Sequence, residues 1–338
     1  MGFDCSSRVE LLMVQRLGFS GADIFFTSNN TSREDFELAI ELDATVNIDD
    51  LTQVPVFAEV LGRKHLSRAA VRYNPGDLKT GNAIIGKPTE AKYGMRLDQL
   101  AEAFSSLKKQ DIGEFGLHTM VASNELHSEY FAETARILLA AVDEVEAKTG
   151  VHIDFINLGG GFGLNYKPDQ TPFDIEATAA GIREALAGRE LRIYTENGRY
   201  VTGPHGYLLT KVRYVMDKYK TYVGVDASMH NLMRPGMYGA YHQLTVIGHE
   251  GDEPTETYDV VGSLCENNDK FAIDRKLPKV KPDDLVVIHD AGAHGHAMGF
   301  NYNGLLRSAE VLLRTDGSFE LIRQAETPDD YFRNIIWP

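Results

Sequence analysis

The sequence predicts an α/β barrel followed by a β-rich domain, and three observations predict it. Short β-prone runs alternate with amphipathic helices through the first two hundred residues. Glycine- and arginine-bearing loops close the last two of those strands, and from about Gly206 the strands are joined by turns instead of helices.

The strands of the first part are Gly2–Ser6, Ile24–Ser28, Thr45–Asp49, Ala69–Asn74, Phe115–Val121, Phe155–Gly160 and Arg192–Glu196. Among the helices between them, Thr31–Glu41 opens with a Thr/Ser cap and acidic first-turn residues, which suit the helix N-terminal dipole. Phe131–Lys148 carries Leu138, Leu139, Val142 and Val145 at helical spacing, and Ile175–Ala187 repeats the pattern with Ile182 and Leu186. Such alternation implies parallel strands covered by helices. Seven strands suit an open doubly wound sheet, whereas an eight-stranded barrel is one unit short. The placement of the loops favours the barrel, with its first β/α unit missing. Barrels commonly bind phosphate with the loops after strands seven and eight, and here the two loops follow the last two strands.

The second part reads as strands Tyr207–Val215, Thr221–Val225, His242–Gly248, Thr257–Gly262, Leu285–Ile288 and Arg307–Arg314. Thr315-Asp316-Gly317-Ser318 is a hairpin signal before Phe319–Arg323. The expected domains are therefore 1–205, the barrel, and 206–338, the β-rich domain. No internal repeat or low-complexity segment appears.

Composition bounds the partners. With 43% hydrophobic and 25% charged residues the chain is ordinary for a globular protein. A formal charge of −15 repels nucleic acid and anionic membrane over most of the surface. An anionic ligand then needs a local cluster of Arg and backbone N–H groups. The two cysteines, Cys5 and Cys265, are far apart and lack metal-type spacing, so neither a disulfide framework nor a metal site is expected. No apolar run approaches the roughly 20 residues that span a bilayer, and no signal segment opens the chain. The expected compartment is the cytoplasm.

The most informative run is Asn157-Leu158-Gly159-Gly160-Gly161-Phe162-Gly163. Three glycines let a backbone approach a ligand closely and turn several N–H groups toward one anion. Alone, the run is equally a tight strand-to-helix turn. Glu196-Asn197-Gly198-Arg199, at the end of the next strand, shifts the balance toward phosphate.

These two loops, with Gly262-Ser263-Leu264-Cys265-Glu266-Asn267-Asn268-Asp269 and Asp290-Ala291-Gly292-Ala293-His294-Gly295, resemble the fold-type III pyridoxal-phosphate decarboxylases. Arg234-Pro235-Gly236-Met237-Tyr238-Gly239-Ala240-Tyr241-His242 and Asn301-Tyr302-Asn303 narrow the likeness to the diaminopimelate decarboxylase branch. The resemblance runs from Gly2 to about Leu313 and implies an alanine-racemase-like barrel. It also implies pyridoxal 5'-phosphate as cofactor, and decarboxylation of meso-2,6-diaminopimelate to L-lysine as the activity. By position, it assigns Gly159, Gly160, Gly161, Gly198 and Ser123 to the cofactor phosphate. Arg199 falls at the phosphate and substrate end, and Tyr302 reaches both cofactor and substrate. Glu196 faces the pyridine nitrogen, where a carboxylate keeps the ring protonated so that it accepts the electrons released as CO₂ leaves. Asp4 and Glu10 match an Asp and a Glu of the family's first strand and helix after its lysine. Arg234, Tyr238 and Glu266 bind substrate, and Cys265 donates the proton that quenches the carbanion. The resemblance further implies a homodimer, with the Cys-Glu loop entering from the partner.

Taken by themselves, Arg234 suits a bidentate carboxylate clamp and Glu266 a distal amino group. The plain alternatives are a surface cation and a solvated carboxylate, and for Cys265 small core packing.

The match departs in four places. Asn197 stands where the family usually has Pro, a mild change because Asn tolerates turn geometry. His294 replaces a common Tyr. Met120 stands where the family has its ring-stacking His. His118 and Met120 lie two apart on a strand and face the same way, so either the Met120 thioether packs on the ring or His118 stacks there. His118 also reads as a hydrogen-bonded core histidine. Finally, family members carry the Schiff-base lysine in a strand upstream of the segment matching Gly2–Glu10, and this chain begins after that point. Lys64, Lys79, Lys87 and Lys92 are the nearest lysines, and none sits in a matching context. The expectation is a fragment or late start, with competence only when the lysine segment is supplied. Other readings stay open: a related decarboxylase for another amino acid, a non-catalytic decarboxylase-like partner, and a barrel enzyme for a phosphorylated metabolite.

Overall fold

A computed structural model of the chain, describing residues 1–81, 84 and 86–338, has seven short strands hydrogen-bonded in chain order. They are β1 (Phe3–Cys5), β2 (Ile24–Ser28), β3 (Thr45–Ile48), β4 (Leu66–Arg72), β5 (Ile112–His118), β6 (Phe155–Asn157) and β7 (Arg192–Tyr194). Every neighbouring pair is parallel. The return paths are helices: α1 (Arg8–Arg16), α2 (Arg33–Glu41), α3 (Gln53–Leu61), α4 (Leu97–Leu107), α5 (Ser128–Thr149) and α6 (Ile175–Leu186). Parallel pairing forces such crossovers. Local chemistry sets their ends. A Ser32–Asp35 capping box starts α2, the Asp174 side chain caps α6, and Gly150 in the left-handed region stops α5.

The sheet curls. Phe25 on β2 lies 4.9 Å from the ring of Tyr194 on β7 and 6.1 Å from that of Phe155 on β6. Arg68 of β4 donates to the Tyr194 hydroxyl at 3.2 Å. Side chains of distant strands meet only if their shared face is concave, so this face is a barrel interior. Gly116 on β5 makes room in it, because a methyl there would overlap the Phe155 ring. Gly116→Ala should therefore lower unfolding free energy by about 1–3 kcal/mol, the usual cost of overpacking a core. Urea unfolding measures this, and an unchanged midpoint would contradict it.

By its internal contacts the chain divides into two units, Met1–Gly163 with Pro172–Asn197, and Leu164–Thr171 with Gly198–Pro338. The second unit is built on a six-stranded sheet: β8 (Leu208–Asp217), β9 (Thr221–Val225), β10 (Leu244–Val246), β11 (Glu256–Val261), β12 (Lys270–Leu277) and β13 (Leu285–Ile288). The order is β10-β13-β8-β9-β11-β12, antiparallel except for the parallel pair β9 and β11. Its core packs Val212, Val223, Val225, Val260, Val286 and Ile288. A separate hairpin joins β14 (Glu310–Leu313) to β15 (Phe319–Arg323) through the turn at Gly317. The expectation of a barrel-type unit followed by a β-rich one is borne out.

Three details differ from the sequence reading. Strands β5, β6 and β7 end two or three residues early, since Thr119–Val121 and Leu158–Gly160 are already loop. Helix α3 was hidden by Pro55, which sits in the first turn, where its missing N–H has no intrahelical acceptor. Strand β12 was hidden by the charged Asp274 at positive φ, whose N–H donates to the buried Asp259 carboxylate. Among the described residues no helix is long and apolar enough to cross a membrane.

Candidate functional site

The C-terminal ends of the parallel strands of the first unit surround a cleft of 330 Å³. Its walls are Asp4 on β1 and Ser6 just after it, Thr27 and Ser28 on β2 and Asn29 just after it, Arg72 on β4, His118 at the end of β5 and Met120 in the loop that follows, and Glu196 just beyond β7. Barrel chemistry belongs at this rim, because each strand end releases a side chain toward the axis while the strands below hold it rigid. Among the described residues its lining includes no lysine.

Glu196 is the best-held group in the cleft. One carboxylate oxygen accepts from Asn157 Nδ2 at 2.7 Å and the other from His118 Nε2 at 3.2 Å. Burial pushes its pKa up, but His118, the Asn157 hydrogen bond and Arg72 outweigh that and hold it below the ordinary value. Asp4 moves the other way. Desolvation, then the charges of Glu196 and Glu10, raise it well above the usual carboxylate range, with Arg72 opposing, although Asp4 keeps contact with solvent. Two facing carboxyls are thus separated: Glu196 keeps its charge and Asp4 tends to hold a proton. Glu10 itself stays at the exposed start of α1, accepting from Ser6 N–H at 2.6 Å. His118 is buried, and its Nδ1 has no hydrogen-bond partner. Arg72 is fixed by Asp49 at 3.1 Å and by the Tyr93 ring at 4.1 Å.

The glycine run forms the loop after β6. Gly159 and Gly161 have φ of 68° and 107°, values that exclude most side chains. A side chain at Gly160 would overlap the carbonyl of Glu196. Gly159 N–H donates to Asn157 Oδ1 at 2.9 Å, and Glu196 N–H donates to Gly159 O at 2.8 Å. Gly160 N–H faces the Met120 sulfur, at 3.1 Å, a weak acceptor that an anion would readily outcompete. Asn197, at the position of the expected Pro, accepts from Phe162 N–H at 3.0 Å and so ties the loop to the end of β7. Ser123 lies half-buried just beyond β5.

The second unit carries the remaining predicted residues in two groups. Arg199, in α7 (Gly198–Thr202), and Arg234, opening α8 (Arg234–Tyr238), are both buried. Arg199 donates to the Tyr166 hydroxyl at 2.9 Å, and the Arg234 guanidinium lies 4.4 Å from the centroid of the same ring. Burial lowers the Arg234 pKa, Tyr166 opposes this and Arg199 adds to it. Among the described residues no carboxylate acts on Arg234. His294, at φ 56°, feels both arginines: burial first, then Arg199 and Arg234, bring its pKa down to about 4. Gly198 borders open space, with no atom within 4 Å of where a Cβ would stand. Tyr238, on the same short helix as Arg234, is instead 61% exposed.

The second group is the loop after β11. Buried Asp269 accepts from Met229 N–H at 2.6 Å and Leu264 N–H at 2.8 Å, which fixes the loop's base. At its tip Cys265 is exposed, with Sγ 3.3 Å from the Tyr302 hydroxyl, and that hydroxyl donates to Glu266 Oε1 at 3.2 Å. Asn303, at φ 55°, accepts from Cys265 N–H at 3.1 Å. The Cys265 and then the Glu266 hydrogen bonds push the Tyr302 pKa up to about 12, so its hydroxyl stays protonated at neutral pH.

Sequence reasoning missed Arg72, Asn157 and Tyr166. Arg72 had a signal, a cation at the end of the apolar run Ala69-Ala70-Val71. Asn157 opens the glycine run but was read only as part of its turn. Tyr166 lies in Leu164–Thr171, a short segment that belongs to the second unit, and had no signal. Among the described residues no group of three or more His, Cys, Asp or Glu is placed to hold a metal ion.

Comparison with known proteins bears on what this geometry is for. Residues 1–203 match the model of the pyridoxal-dependent decarboxylase, pyridoxal binding domain. The chain is 40% identical to Protein TabA of Pseudomonas amygdali pv. tabaci, over 99% of this chain and 80% of that one. It is 33% identical to the diaminopimelate decarboxylase of Methanothermobacter thermautotrophicus, over 98% and 79% of the respective chains. The crystal structure of diaminopimelate decarboxylase from Helicobacter pylori complexed with L-lysine superimposes with a TM-score of 0.89 at 30% identity, covering 98% of this chain and 83% of that one.

Proposed function

Because this chain belongs to the pyridoxal-dependent decarboxylases, carboxy-lyases that use pyridoxal phosphate, we propose that, with a Schiff-base lysine segment supplied, it converts meso-2,6-diaminopimelate to L-lysine and CO₂. The observation that carries the substrate is Arg234, a buried guanidinium with no carboxylate partner among the described residues. A buried cation is costly unless paired, and a substrate with a second carboxylate pairs it. A diamine or monocarboxylate leaves it bare.

The residues present fit the cofactor. Gly160 N–H is held by sulfur, Gly198 borders open space, and Glu196 remains charged in the cleft. On this reading Gly159, Gly160, Gly161, Gly198 and Ser123 hold the phosphate, with Arg199 beside them. Glu196 would take the ring nitrogen, and Asp4 and His118 would help to hold the ring. When bound, pyridoxal phosphate supplies an electron sink for the pair released as CO₂ departs. The chain's own residues do the rest. Glu196 keeps a negative charge where the ring N–H needs one. Arg234, Tyr238 and Glu266 take the distal carboxylate and amino group. Cys265 Sγ delivers a proton to the carbon that has lost CO₂, and the Tyr302 hydroxyl steadies both Cys265 and Glu266. The reading includes a cytoplasmic homodimer in which the Cys265–Glu266 loop completes the partner's site.

A second reading, the same chemistry on another amino acid, is favoured by the 40% identity to Protein TabA, whose name states no substrate. Turnover of meso-diaminopimelate, ornithine and arginine by the chain with the lysine-bearing segment and cofactor supplied separates the two. The expected kcat/KM preference for diaminopimelate over ornithine is at least about 10²-fold, because ornithine leaves a buried polar group unpaired. A preference for ornithine or arginine refutes the first reading.

A further inference from the structure

The arginine cluster of the second unit contains a hydrogen bond whose polarity its neighbours fix. His242 is fully buried. Its Nδ1 lies 2.8 Å from the carbonyl oxygen of His289, which only accepts, so Nδ1 carries the proton. Its Nε2 lies 2.8 Å from Arg234 Nη1, which only donates, so Nε2 is bare. The imidazole is therefore neutral and held in one tautomer. Its pKa agrees: burial brings it down to about 4, the His289 hydrogen bond opposes, and Arg234, Arg199 and Arg275 reinforce the fall. Tyr166 closes on both partners, with its ring 4.4 Å from the Arg234 guanidinium and edge-on to His242 at 5.1 Å.

The choice of acceptor matters. A carboxylate at position 242 would also fix the guanidinium, but it would cancel the charge. A neutral imidazole occupies one N–H, sets the plane with Tyr166, and leaves a full positive charge on a group that has no other counter-ion among the described residues. We propose that His242 is the positioning residue of Arg234, a neutral acceptor that aims the guanidinium at a ligand carboxylate without neutralising it. That this carboxylate is the distal one of diaminopimelate rests on the functional reading above; the hydrogen-bond chain does not.

Calorimetric titration of the full chain with pimelate, which offers two carboxylates and no amines, tests the proposal without requiring turnover. The Gln Oε1 of His242→Gln reaches the Nε2 position and accepts without charge, so this variant should bind within about threefold of wild type. His242→Leu should bind at least about tenfold more weakly, because one buried N–H loses its acceptor and its direction. His242→Glu should bind at least about tenfold more weakly for the opposite reason, an acceptor that neutralises. Should the Leu variant fail to fold in a thermal melt, the contrast between the Gln and Glu variants carries the test alone. Equal affinities of the Gln and Glu variants, wild-type affinity in a folded Leu variant, or no pimelate binding by wild type each overturn the proposal. Pimelate binding in the expected pattern without diaminopimelate turnover, once the lysine-bearing segment and cofactor are supplied, overturns the functional reading instead.

Discussion

Glu196→Gln should lower kcat by about 10²–10³, the usual cost of removing one preorganised charge from a reacting centre. A neutral amide cannot keep the ring nitrogen protonated, so the electron sink weakens while binding pockets elsewhere stay intact. The fold should survive for a specific reason. Both partners of the carboxylate, Asn157 Nδ2 and His118 Nε2, are donors, and an amide offers only one acceptor oxygen. Asn157 cannot flip without releasing Gly159 N–H, but His118 has an unpartnered Nδ1 and can move its proton there, leaving Nε2 to accept from the new amide. The same substitution changes the acid limb of stability. The folded pKa of Glu196 lies below its ordinary 4.5, so its charged contacts stabilise the protein above that pH and are lost as pH falls through the folded value. The variant should therefore be less stable than wild type at neutral pH, with the difference closing below pH 4.5. Steady-state kinetics and thermal melts at several pH values measure both effects. A kcat within threefold of wild type would falsify the assignment of Glu196.

Cys265→Ala should lower kcat by about 10²–10⁴ and leave KM little changed, as expected for the loss of a proton donor that does not bind the ground state. The thiol contacts Tyr302, not the arginine cluster. Removing it leaves the Tyr302 hydroxyl donating to Glu266 and leaves the loop pinned by Asp269 and Asn303. A mainly structural cysteine would show the reverse pattern, a lower melting temperature with kcat preserved. That outcome would remove Cys265 from the chemistry.

How much of this was legible in the sequence depended on the range of the signal. Alternation and caps are local, so β2, α2, α6 and β9 were found to within a residue or two. Strand ends were overrun at β5 and β6, because Thr119–Val121 and Leu158–Gly160 are as apolar or β-prone as strand residues until Gly159 is seen at positive φ. The glycine loop, Glu196 and Arg234 were visible because each sits in a motif with a chemical reason for its spacing. Contacts that need the fold were not. Asn157 gripping Glu196, Asp4 and Glu196 dividing one proton, and Tyr166 joining Arg199 to Arg234 all link residues remote in sequence. His242 belongs to a sequence motif, yet its role follows only from the partners of both its ring nitrogens.

The central claim is decarboxylation of meso-diaminopimelate at one of its two stereocentres. Its most direct test is chiral chromatography of the product together with trapped CO₂, using the chain with the lysine-bearing segment supplied and added pyridoxal phosphate. Equimolar L-lysine and CO₂ are predicted. No CO₂ above the cofactor-only control, or D-lysine as the product, would contradict the account.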